Sequence, residues 1–122
     1  MSFLNITFKA TNIEITAPLQ TLIEQKIQLL EKLITDHETD VRCEIEVEKL
    51  SEHVSGRIYR IEANLSIGGK LYRAEATEDQ CEKAVDIVRN ELKRELQHAR
   101  GKKQSLLKRG GHALKNMLRR GS

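Results

Sequence analysis

The sequence is poor in aromatic residues, which make up 3% of it, and contains no tryptophan and a single proline. A core built from it must therefore be filled by aliphatic side chains. No run of about 18 apolar residues occurs, so no helix is expected to span a membrane. The N-terminus shows no basic stretch followed by an apolar segment, so no secretory signal is expected. Cys43 and Cys81 are the only cysteines, and both fall on apolar positions of predicted elements. Two buried thiols suit a reducing cytoplasm, although a disulfide stays open. Without histidines at ligand spacing they give no zinc site, and no metal is expected. The motifs of phosphate loops, nucleophile elbows and zinc proteases are also missing. His37, His53, His98 and His112 have no acidic partner or nucleophile at local spacing. No catalytic residue, cofactor or small-molecule substrate is expected, and the chain reads as a non-enzyme.

One further absence is the most informative. Residues 96–122 contain no aspartate or glutamate, yet hold eight bases: Arg100, Lys102, Lys103, Lys108, Arg109, Lys115, Arg119 and Arg120. Thirteen bases then face eighteen acids in residues 1–95, so the net charge of +3 hides an acidic body and a basic end. A basic end of this kind meets polyanions.

The 122 residues suit one domain with a short appendage. Residues 4–10 alternate, with Leu4, Ile6, Phe8 and Ala10 on one side, and predict a half-buried strand. Thr16 is placed to cap a helix in which Pro18 is tolerated in the first turn. Leu19, Leu22, Ile23, Ile27, Leu30, Leu33 and Ile34 give that helix an apolar stripe ending near Thr35 or Asp36. Val41, Cys43, Ile45 and Val47 alternate with Arg42, Glu44, Glu46 and Glu48 as a second strand. Gly68-Gly69 suits a two-residue hairpin turn. Counting outward pairs Ile67 with Lys70, Leu65 with Tyr72, Ala63 with Ala74 and Ile61 with Ala76 on one face. The other face pairs Asn64 with Arg73 and, unfavourably, Glu62 with Glu75. Thr77 and Gln80 have capping-box spacing before a second helix striped by Cys81, Ala84, Val85, Val88, Leu92 and Leu96.

The expected fold is therefore α+β. It is a two-layer β-α-β-β-β-α sandwich, with a four-stranded mixed sheet and both helices packed on one face. Residues 1–100 form the domain. Residues 101–122 form a basic, flexible tail, punctuated by glycine and expected to order on binding. On the second helix Arg89, Lys93 and Arg100 share a flank and Arg94 lies outside it. Acids on the same helix give it the look of a solvated face, but not the acid-free run beyond it. Exposed aromatics do not alternate with these bases, so stacking on single strands is poorly supported. A folded RNA read by its shape and phosphates fits better.

Three blocks resemble one family. The first is Asn12-Ile13-Glu14-Ile15-Thr16 with Leu19, Lys26-Ile27 and Leu30-Glu31-Lys32. The second is Val47-Glu48-Lys49, Gly68-Gly69 and Ala74-Glu75-Ala76. The third is Glu78-Asp79, Ala84-Val85-Asp86 and Leu92-Lys93-Arg94-Glu95-Leu96. In this order over residues 4–100 they resemble the ribosome hibernation promoting factors, also called the ribosome-associated inhibitor or sigma-54 modulation family, in its short form. The resemblance implies a cytoplasmic, ribosome-binding translation inhibitor. It would bind the small ribosomal subunit and the 70S ribosome through 16S rRNA, and occlude the mRNA and tRNA sites of idle ribosomes. It also implies phosphate contacts by Lys26, Lys32, Lys93 and Arg94. Charge and helical position add Arg89 and Arg100, and the tail adds Lys102, Lys103, Lys108 and Arg109. No membrane partner is expected, and the protein should be a monomer off the ribosome. The rival functions are a general structured-RNA-binding protein and a sigma-54 transcription modulator.

Overall fold

The computed structural model describes residues 4–34, 40–51 and 56–99. Strands β1 (Asn5–Thr11), β2 (Val41–Lys49), β3 (Tyr59–Ile67) and β4 (Lys70–Glu78) form one sheet in chain order. The pair β1–β2 is parallel; the other pairs are antiparallel. Helix α1 (Ala17–Gln28) connects the parallel pair, and helix α2 (residues 81–99) follows β4. The expected architecture is the one observed.

Each element forms for a readable local reason. The Thr16 hydroxyl accepts a hydrogen bond from the Leu19 amide at 3.4 Å, and Pro18 sits in the first turn, where few donors are needed. The hairpin register is the expected one, from Ile67 opposite Lys70 to Ile61 opposite Ala76. Gly68 and Gly69 turn at φ of 55° and 86°, a region that side chains with a Cβ rarely enter. Ile23, Ile27 and Leu30 from the first helical segment meet Ala84, Val85, Val88, Leu92 and Leu96 from α2 in one core. The same core takes Cys43, Ile45, Val47, Ile61, Ala63 and Leu65 from a single face of the sheet. Both helices therefore cover that face, and burial of these aliphatic side chains drives the two layers together.

Two local expectations change. Helix α1 is α-helical only to Gln28; Leu29–Leu33 continue as a tighter 3-10 helix. In this segment Glu31 accepts a hydrogen bond from the Leu4 amide at 2.9 Å and ties down the start of β1. Thr77 does not cap α2. Strand β4 keeps its ladder through Glu78, with Thr77 opposite Arg60, and the helix begins at Cys81 with the Ala84 amide bonded to the Gln80 carbonyl. The ladder holds Thr77 in extended backbone opposite Arg60, three residues short of the first helical bond, so its hydroxyl is not at the cap position.

On the outer face of the sheet, Arg60 explains the like-charged Glu62–Glu75 pair. Its guanidinium bonds Glu62, reaches Glu75 at 2.5 Å, and lies 3.3 Å and 3.5 Å from Glu46 and Glu48. Arg73 adds a contact to Glu62 at 3.1 Å. Burial works against the charge on Arg60, but its bonds to Glu62 and Glu75 outweigh that and raise its pKa. The Glu62 carboxyl is held below the usual carboxylate range, first by the bond from Arg60 and then by Asn64. A folded-state pKa below the unfolded value means that the stabilisation is complete above the ordinary carboxylate range. It is lost as pH falls through that range toward the depressed folded value. Thermal unfolding should therefore show Tm dropping below about pH 4.5, with Glu62→Gln flattening that fall. A Glu62→Gln protein whose Tm falls as steeply as wild type would assign the effect to other carboxylates.

Candidate nucleic-acid interface

The elements place the candidate bases through helical spacing. On α2, Glu82, Asp86, Arg89 and Lys93 recur every three or four residues and share one flank beside the apolar stripe. That flank adjoins α1, because Lys26 Nζ lies 2.5 Å from Asp86 and 3.7 Å from Glu82. Read from the N-terminal end of α2, the flank changes from acidic to basic. This is the order a helix dipole favours, with anions at the start and cations toward the end.

The bases are not equivalent. Lys26 is only 19% exposed and is matched by two carboxylates across the helix pair. Arg89, 24% exposed, lies 4.0 Å from the same Asp86 oxygen and donates two hydrogen bonds to Asn90. Arg94 points outward and sits 3.8 Å from Glu91. Lys32 and Lys93 are exposed and, among the described residues, have no ion-pair partner. Lys32 comes from the 3-10 segment and Lys93 from α2. Arg100, Lys102, Lys103, Lys108 and Arg109 lie outside the described residues.

The opposite, outer sheet face offers a poorer site for a polyanion. Glu44, Glu46, Glu48, Glu62 and Glu75 there outnumber Lys9, Arg42, Arg60 and Arg73, and Arg60 and Arg73 are spent on those carboxylates. A shallow groove runs over this face between Thr7, Lys9, Glu44, Glu46, Glu62 and Asn64. Among the described residues no group of three or more His, Cys, Asp or Glu is arranged to hold a metal. Both cysteines are free thiols. Burial, with the neighbouring Glu44 charge, pushes the Cys43 thiol up to about 12, and burial also raises Cys81. Neither is poised as a thiolate nucleophile. No described helix is long and apolar enough to cross a membrane.

Sequence reading missed Asp86 as part of this site. The signal was present: Lys26 and Asp86 both fall inside the blocks that carry the family resemblance. Their contact spans 60 positions of sequence, so helical spacing alone could not pair them.

The family model described as sigma 54 modulation protein / S30EA ribosomal protein matches residues 4–104, which takes in both helices and all four strands. The chain belongs to this family. It is 29% identical over 104 residues to a ribosome hibernation promoting factor of Pseudomonas putida, covering 85% of this chain and 94% of the relative. It is 31% identical over 85 residues to a ribosome hibernation promotion factor of Deinococcus radiodurans, covering 70% of this chain but 43% of that longer protein. In fold it is similar to the N-terminal domain of Thermus thermophilus Protein Y, with a TM-score of 0.63 at 20% identity over 77% of this chain and 97% of that one. A ribosomal subunit interface protein from Coxiella burnetii gives a TM-score of 0.62 at 19% identity, over 80% and 98% of the two chains.

Proposed function

We propose that this protein is a cytoplasmic ribosome hibernation factor that binds the small ribosomal subunit through 16S rRNA and blocks the mRNA and tRNA sites. The observation that carries the reading is the family match over residues 4–104, in a domain whose α2 flank turns basic toward a base-rich C-terminal end. Relatives that match nearly full length bear the name of ribosome hibernation promoting factor.

The mechanism is occlusion and requires no catalysis or cofactor. A two-layer wedge occupies space that mRNA and tRNA need. Lys32, Lys93 and Arg94 hold phosphates, and Arg100, Lys102, Lys103, Lys108 and Arg109 of the base-rich end add further contacts. Lys26 and Arg89 contribute to the extent that Asp86 releases them. Residues 1–100 form the ribosome-binding domain and residues 101–122 an appended grip, the whole being a monomer off the ribosome.

The test is binding of purified 30S subunits with and without competitor mRNA and tRNA. Lys32→Glu/Lys93→Glu should lower affinity at least tenfold, because each reversal replaces an attraction to phosphate by a repulsion. Wild type should be displaced by tRNA and mRNA. Binding that is indifferent to both competitors would contradict occlusion. Salt-insensitive binding to a transcription component instead would favour the sigma-54 reading that the family description carries.

A further inference from the structure

Asp86 is an acid set among bases on the surface that the ribosome-binding reading assigns to phosphate, and the present inference rests on that reading. One oxygen of its carboxylate lies 2.5 Å from Lys26 Nζ on α1 and 4.0 Å from Arg89 on its own helix. Glu82, one turn earlier, stands 3.7 Å from the same Lys26. The four charges cancel. Lys26 and Arg89 are both largely covered, so their attraction to Asp86 is screened less than a fully exposed pair would be.

We propose that Asp86, supported by Glu82, is an electrostatic restraint on RNA binding that keeps Lys26 and Arg89 neutralised and holds affinity below what the bases alone would give. A phosphate that reaches Lys26 must share the ammonium with, or take it from, the carboxylate already bonded to it. Either way little is released. The carboxylate stays beside the phosphate and repels it. This half of the interface then adds geometry but little net attraction, and the Lys93 end carries the grip. A plain structural strut between the helices would make a different prediction. Its loss would loosen α1 against α2 and weaken binding, with no gain in attraction.

The two separate on the full-length protein, titrated with purified 30S subunits over a series of salt concentrations. Asp86→Asn keeps the side-chain shape and removes the charge. It should tighten binding about three- to tenfold at low salt and steepen the slope of log affinity against log salt by about 0.9, the mark of one more neutralised phosphate. Lys26→Gln/Asp86→Asn restores the local charge balance and should return affinity to within about twofold of wild type. Unchanged or weaker binding by Asp86→Asn overturns the restraint while wild-type binding still supports the ribosome reading. Wild type that fails to bind 30S subunits overturns both. Should circular dichroism show Asp86→Asn to be unfolded, Glu82→Gln serves in its place, since its side chain is 61% exposed. It should tighten binding about twofold, through the partial loss of one neutralising charge, and no tightening would overturn the proposal.

Discussion

Replacing Leu65 by alanine is expected to cost about 2–5 kcal/mol of unfolding free energy. Leu65 lies on β3, an inner strand, opposite Cys43 of β2 and Tyr72 of β4, and has no exposed surface. Truncation there removes apolar area from the middle of the sheet and leaves a cavity, because pairing on both sides prevents the backbone from closing over it. Domains of this size are stable by only about 5–15 kcal/mol, so a large part of the total is at stake. Urea denaturation should show a lowered midpoint with an unchanged m-value. Leu71, six residues along, is the control. It is 61% exposed, and Leu71→Ala should change stability by less than about 0.5 kcal/mol. A Leu65→Ala protein within about 1 kcal/mol of wild type would contradict a core shared by the sheet and both helices.

The second large effect is electrostatic. Changing Lys102, Lys103, Lys108, Arg109, Lys115, Arg119 and Arg120 to glutamine turns a net charge of +3 into −4, with the domain left as it is. Each phosphate contact contributes about 0.9 to the slope of log affinity against log salt. If half of these seven bases touch phosphate, the slope should become shallower by about 3, and affinity at about 0.1 M salt should fall roughly 10²–10³-fold. Thermal unfolding should not change. An unaltered salt slope would confine RNA recognition to the helices.

Much of this molecule was legible because its elements have strong periods. The hairpin could be registered from Gly68-Gly69 alone, since a slip of one residue would have put Leu65 and Ile61 on the charged face. The apolar stripes of both helices chose their buried sides in the same way. Periodicity says which face a residue occupies, however, and not what comes to meet it. The Glu62–Glu75 pair looked unfavourable until Arg60, two positions along β3, bridged the two carboxylates. Thr77 had a cap's spacing but was held in the ladder by Arg60 across the strand. The candidate interface follows the same division. Charge and helical position put Arg89 forward as a candidate, and the family resemblance put forward Lys93 and Arg94. That Asp86 of α2 neutralises Lys26 of α1 depended on how the two helices pack, which no local pattern contains.

The central claim is that this protein silences ribosomes by occupying the small subunit. Its most direct test is cosedimentation of the purified protein with 30S, 50S and 70S particles on sucrose gradients at two salt concentrations, joined to translation in vitro with the same preparations. The account predicts protein in the 30S and 70S peaks and not in the 50S peak, release at the higher salt, and translation inhibited in step with occupancy. Protein that remains at the top of the gradient at low salt, or that binds without slowing translation, would contradict it.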